Sequence, residues 1–151
     1  MLVPANTLEM RETAASILLR ETGVKATQQF QAIFWVNAQT LEIEWVIGFD
    51  GFIGKVCQIH DVNLSGKGYT PRKLLRAVFD YAFNKCRLEA LLGVVNSHNT
   101  RALEYNRKLG FTHLAVLPEM HDDGGDIVLM KLNKQDCKWI REVKHEELLV
   151  A

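Results

Sequence analysis

Nothing in this 151-residue chain approaches the roughly 18–20 consecutive apolar residues of a membrane-spanning helix. Its start also lacks a basic segment leading into an apolar one, so neither a membrane nor an export route is expected. Charge of one sign is not in excess: 18 Lys and Arg balance 18 Asp and Glu, which leaves no net field to draw in nucleic acid or an acidic lipid surface. Cysteine is scarce. Cys57, Cys86 and Cys137 lie far apart with no CxxC pair, so neither a disulfide framework nor a zinc knuckle is indicated, and a reducing, cytoplasmic setting is expected. Repeats, linkers, low-complexity stretches, a catalytic triad pattern and a P-loop lysine motif are all missing. What remains is 48% hydrophobic, the composition of an ordinary globular chain, and one domain over residues 1–151 with a single core is expected.

The punctuation of the chain predicts its elements. Asn6 or Thr7 can cap a helix running to about Thr22, with Gly23 as its stop. Residues 32–36 and 41–49 are rich in β-branched and aromatic side chains and read as strands. Asp50-Gly51 is a two-residue hairpin signal leading into a strand over 52–62. After a loop at 64–70 with two glycines, Thr70 is placed to cap a helix with Pro71 in its first turn. Leu74, Leu75, Val78, Phe79, Ala82 and Phe83 form the apolar stripe of that helix. The apolar run 90–95 suits a buried strand. Ser97 or Asn99 then caps a helix with Ala102, Tyr105, Asn106 and Leu109 on one face, ending at Gly110. Residues 112–117 and 126–132 read as a hairpin joined by the turn-rich 121–125, which explains His121, Asp122, Asp123 and Asp126 better than a metal site does. Residues 134–151 form a helical tail by this reading. The stripe of Trp139, Ile140 and Val143 is expected to pack back onto the core, and the apolar end 148–151 to dock on a neighbouring copy in a weak homodimer. The order of helices and strands argues for an α/β (α+β mixed) fold, a central mixed sheet flanked by helices.

Two segments add a resemblance. Asn99, Ala102, Tyr105, Lys108, Gly110 and Phe111 stand at spacings that resemble the last block of the GNAT N-acetyltransferase superfamily, Asn-x-x-Ala-x-x-x-(Tyr)-x-Lys-x-Gly-Phe. About 30 residues earlier, Ser65-Gly66-Lys67-Gly68-Tyr69-Thr70 opens a helix, and this segment resembles the pyrophosphate loop of that family, (Gln/Arg)-x-x-Gly-x-(Gly/Ala). Such a loop offers free N–H groups and the positive end of a helix dipole to a phosphate. Gly-Lys-Gly-Tyr followed by Asp80-Tyr81-Ala82-Phe83 is similar to the branch that acetylates ribosomal-protein N-termini. The chain departs from the pattern at Ser65, at Thr70, and in one extra residue before Asp80.

The resemblance implies a GNAT-like fold, with a mostly antiparallel sheet, and acetyl-CoA as cosubstrate with no metal. It also implies transfer of acetyl to a primary amine, whether a peptide α-amine or a small molecule, with no nucleic acid or membrane partner. Cofactor contacts are expected at Val62, Gly66, Lys67, Gly68, Tyr69, Thr70, Arg72, Lys73 and Asn99. Two proton roles follow from thioester aminolysis. The family often places the acid seven residues after the Asn99 position, where this chain has Asn106; its tyrosine sits one place earlier, so Tyr105 is the candidate acid. The base is commonly a glutamate on the strand before the loop. Residues 52–62 contain none, which leaves His60 and Asp61, and His60 has the more suitable ordinary pKa, near ~6.5. The missing glutamate, displaced tyrosine and altered loop keep an alternative open: a catalytically silent domain that binds CoA or serves as a structural or interaction module.

Overall fold

The computed structural model describes residues 1–140. Strand β1 (Leu2–Pro4) precedes helix α1 (Leu8–Thr22), followed by β2 (Gln31–Val36), β3 (Ile43–Ile53) and β4 (Val56–Asn63). Helix α2 (Arg72–Asp80) runs on into a π-helical turn, Tyr81–Lys85, then come β5 (Ala90–Asn96), helix α3 (Thr100–Leu109), β6 (Thr112–Leu117) and β7 (Ile127–Asn133). One seven-stranded sheet has the order β1-β2-β3-β4-β5-β7-β6, antiparallel throughout except for the parallel β4–β5 pair. No helix among the described residues is long and apolar enough to cross a membrane.

Strand alternation assigns the two faces, since residues opposite each other in a ladder point the same way. Val46 and Val62 face α1 and pack with Ala14, Ile17 and Leu18. Trp45, Ile47, Phe49 and Cys57 face the other way, into the larger core formed with Leu74, Val78 and Phe79 of α2 and Leu109 of α3. Cys137, Trp139 and Ile140 join that larger core, and the Trp139 indole N–H donates to the Leu109 carbonyl at 3.1 Å. The tail therefore folds back as far as it can be described; Val143 and the apolar end, with the assembly expected of it, lie outside the described residues.

Most boundaries follow their capping chemistry. The Thr7 hydroxyl accepts from the Met10 N–H at 3.1 Å, and Gly23 ends α1 at φ 76°. Asn99 caps α3 by accepting from the Ala102 N–H at 3.1 Å, and Gly110 ends it at φ 113°. Three expectations are corrected. β1 is an additional short strand whose proline sits at the sheet edge, where a missing N–H costs nothing. Asp50-Gly51 does not turn the chain: β3 runs on to Ile53, and a register shift between Asp50 and Ile53 absorbs Gly51 at φ 61°. The turn residues here build a bulge instead, because the buried Asp50 carboxylate accepts the Thr27 N–H, the Thr27 hydroxyl and the Gly51 N–H. Finally, Thr70 does not cap α2. Pro71 occupies the N-cap with no side-chain cap, and the Thr70 hydroxyl is used elsewhere.

Candidate active site

The site begins with a sheet that comes apart. β4 and β5 pair only at Val56–Ala90, Cys57–Leu91 and Gln58–Leu92. Beyond Gln58 the strands diverge, and β5 keeps only β7 as partner. The Leu64 N–H donates to the Glu44 carbonyl of the neighbouring strand at 2.8 Å, so the even-numbered residues of β4 turn their backbone groups toward β3. By alternation, the N–H and C=O groups of Ile59, Asp61 and Asn63 point the other way, into the opening. A cavity of about 900 Å³ fills the gap and reaches both faces of the sheet. Thr22, Val24 and His60 line it on the α1 side; Leu74, Thr70, Tyr105 and Asn99 line it on the other.

The glycine loop is held in shape by Asn63. Its amide donates to the Lys67 carbonyl at 2.7 Å, and its carbonyl oxygen accepts from the Ser65 N–H at 2.9 Å and the Ser65 hydroxyl at 2.6 Å. Ser65, in turn, accepts from the Lys67 N–H at 3.1 Å. Ser65, one of the departures noted above, thus relays the Asn63 strut to the Lys67 N–H. Lys67, Gly68, Tyr69 and Thr70 line the cavity, whereas Gly66 makes the turn at φ 74° and Arg72 and Lys73 project into solvent from the first turn of α2. Val62 buries its side chain on the α1 side and turns its backbone toward Val46; the neighbouring Asp61 and Asn63 face the opening instead.

Thr70 and Tyr105 join the loop to α3 through a 2.8 Å bond between their hydroxyls. Tyr105 therefore faces the cavity, although it stands one residue from the family position. The residue at that position, Asn106, turns its amide to the Met130 sulfur at 3.8 Å. Burial pushes the Tyr105 phenol up to about 12, with the nearby Asp61 charge adding to the rise and Thr70 opposing it. Asp61 sits on the same face, walled in by protein while water still reaches it through the opening, and that burial raises its carboxyl above the ordinary value. His60 lies on the opposite face, across from Gly48. Burial lowers its imidazole below the ordinary value, and the Asp50 carboxylate opposes that fall.

The rim carries a set of contacts the sequence did not reveal. Asp123, in the turn between β6 and β7, accepts from the Asn96 amide at 2.6 Å and the Gly125 N–H at 2.9 Å, and lies 3.3 Å from His98 and 3.2 Å from His121. The Gly125 and Asn96 bonds, with the two imidazoles, hold its carboxyl at about 2. Asn99 and His121 both line the cavity beside this clasp. A turn this rich in aspartate and glycine is visible in sequence; which distant residues it grips is not. Among the described residues, no group of three or more His, Cys, Asp or Glu is arranged to hold a metal ion.

No protein-family model matches this chain, and no curated protein sequence does. Solved structures do match. A chimera of the spermidine N-acetyltransferase SpeG from Vibrio cholerae and hSSAT superposes with a TM-score of 0.68 at 14% identity, over 93% of this chain and 98% of its own. The V. cholerae spermidine N-acetyltransferase in complex with CoA and spermine gives a TM-score of 0.63 at 16% identity, over 87% and 78%. Mutant forms of the same organism's spermidine/spermine N-acetyltransferase SpeG give 0.65 at 16%, over 90% and 81%. At these identities the likeness establishes the fold: a GNAT-like mixed sheet of seven strands, mostly antiparallel, with flanking helices.

Proposed function

We propose that this chain binds acetyl-CoA in the opening between β4 and β5 and transfers the acetyl group to a primary amine. The observation that carries this reading is the opening itself, with unpartnered strand backbone along one wall and the Thr70–Tyr105 pair across from it. An extended chain with amide groups, such as the pantetheine arm of CoA, can pair with the backbone of Ile59, Asp61 and Asn63 as an added strand would. The pyrophosphate then meets the glycine loop and the uncapped N-terminus of α2, whose dipole favours negative charge, with Lys67, Arg72 and Lys73 around it. Two fold neighbours support the reading by what they act on or hold: spermidine or spermine, and CoA.

The chemistry divides between the two faces. The acceptor amine attacks the thioester carbonyl carbon; the tetrahedral intermediate collapses, the C–S bond breaks, and the thiolate must be stabilised or protonated. His60, held neutral at pH 7 by its lowered pKa, stands on the α1 side as the acceptor of the amine proton. Tyr105 stands on the other side with the leaving sulfur. A phenol at about 12 facing a thiol near ~8.5 makes full proton transfer uphill by roughly 4–5 kcal/mol. Tyr105 therefore acts chiefly as a hydrogen-bond donor to the developing thiolate, its direction set by Thr70. Asp61, beside it, helps keep the phenol protonated.

A weak base selects its substrate. An α-amine with a pKa near ~7.7–8.0 is partly neutral at pH 7, whereas a lysine side chain near ~10.4 is not. A peptide N-terminus, as in the ribosomal-protein branch, or a small molecule with a lowered amine pKa is the acceptor class this favours. Calorimetry with acetyl-CoA on the wild type and Gly68→Asp tests the site. No atom outside the loop lies within 4 Å of a side chain added at Gly68, so the fold should tolerate the change. The added carboxylate should nevertheless weaken binding by about tenfold or more, some 1.4 kcal/mol. Equal affinity in the two proteins would remove the site assignment; binding without turnover on any amine would leave a CoA-binding module.

A further inference from the structure

Helix α1 packs on β2, β3 and β4, and on the same side of β5 from Leu92 onward, and of β7 and β6, the side chains are half-buried or exposed. Register places Leu92, Val94, Leu129, Ile127, Ala115 and Leu117 together on that face. β6 is the outer strand, and every one of its six residues is exposed. Its sequence, Thr-His-Leu-Ala-Val-Leu, carries no lysine, proline or inward-pointing charge, three of the devices that keep sheet edges from pairing, although a bulge is a fourth and Pro118 follows the strand directly. One bulge at Leu114 is the only irregularity, and it leaves residues 115–117 in regular register with β7. Val94 at 43% and Leu117 at 44% are exposed on this face, whereas Val116, at 47%, stands opposite Val128 and points to the other; Leu114 at 52% lies in the bulge. Apolar side chains exposed on both sides of an outer strand suit pairing along its edge.

Charge identifies the occupant. At the start of β6, the Arg107 guanidinium leans on His113 at 3.4 Å, Lys108 follows it, and Lys131 stands opposite Thr112. Past the other end lie Glu119, Asp122, Asp123 and Asp126. One end of the strand is therefore basic and the other acidic. Two such strands laid antiparallel about a twofold axis near Ala115 bring each basic end against the acidic end of its partner; a parallel arrangement would set like against like. That self-complementarity is what an isologous interface requires. We propose that β6 pairs antiparallel with β6 of a second copy of this chain, joining two seven-stranded sheets edge to edge. This places the contact on β6 rather than on the C-terminal tail and stands independently of the acetyl-transfer reading. A six-residue edge with a modest apolar skirt is a small interface, so a dissociation constant on the order of 10 μM is expected.

Sedimentation velocity on the full-length chain across a concentration series, together with amide hydrogen exchange, tests this. Wild type should pass from monomer to dimer, with the β6 amides slowing in exchange only as the dimer fills. Leu117→Glu should weaken the dimer at least tenfold while leaving the far-ultraviolet circular dichroism and acetyl-CoA affinity unchanged. Glu119→Lys, an exposed change, should weaken it about threefold at low salt, with the difference shrinking as salt is added. A wild type that stays monomeric at every concentration, or a dimer indifferent to both substitutions, overturns the proposal. So does protection of β6 that does not depend on concentration, because the chain itself would then be covering the strand.

Discussion

At the scale of single residues, the proposed chemistry depends on which way two neighbours point. His60 and Asp61 are adjacent in sequence and opposite in space, on the two faces of the sheet that line the opening; the proposed chemistry puts the amine on the first side and the thiol on the second. Tyr105→Phe removes one hydrogen bond to a developing charge, worth about 1.5–3 kcal/mol, so kcat should fall roughly ten- to hundredfold with KM little changed. Steady-state kinetics of this variant and the wild type against acetyl-CoA would show the split. His60→Gln should abolish the rising acid limb of the kcat/KM profile. In the wild type that limb should lie below pH 6.5, because burial lowers the imidazole. With so weak a base, a peptide carrying both amines should be acetylated faster at its α-amine than at its lysine, and mass spectrometry of the products would reveal the reverse.

Elements show why some features could be read from the sequence and others could not. Caps are local, so a few neighbouring residues narrowed the helix starts to Asn6 or Thr7 and to Ser97 or Asn99, of which Thr7 and Asn99 cap, and marked the ends at Gly23 and Gly110. Asp50-Gly51 carries the same kind of turn chemistry, but its carboxylate is claimed by Thr27, 23 residues away, and no local pattern contains that information. The Thr70–Tyr105 bond, spanning 35 residues, likewise took Thr70 from the helix cap it was expected to make. Asp50 also sets an acid limit on stability. Burial works to raise its carboxyl, but the Thr27 hydroxyl and N–H and the Gly51 N–H outweigh that and hold it below the ordinary value. Because the folded pKa lies below the unfolded one, the stabilisation is full above about pH 4 and is lost as pH falls through the folded pKa. Asp50→Asn should therefore cost about 1–3 kcal/mol at pH 7 and less in acid, which urea titrations at both pH values would measure.

For the whole molecule, the decisive feature is one that hydrophobic pattern cannot encode. The apolar run of β5 and the mixed pattern of β4 announced two strands, but their parting after Gln58–Leu92 is a property of the sheet as a whole. The motifs near residues 65–70 and 99–111 marked the two lips of the opening; the strand backbone between them, and the Asn63 strut beneath the loop, emerged only with the fold. Amide hydrogen exchange with and without acetyl-CoA tests the central claim most directly. Ligand should slow exchange at Asp61, Asn63, residues 66–70 and the first turn of α3, with little change in α1 or β1. No protection along β4 and the glycine loop, or protection confined to another part of the molecule, would contradict the placement of acetyl-CoA between β4 and β5.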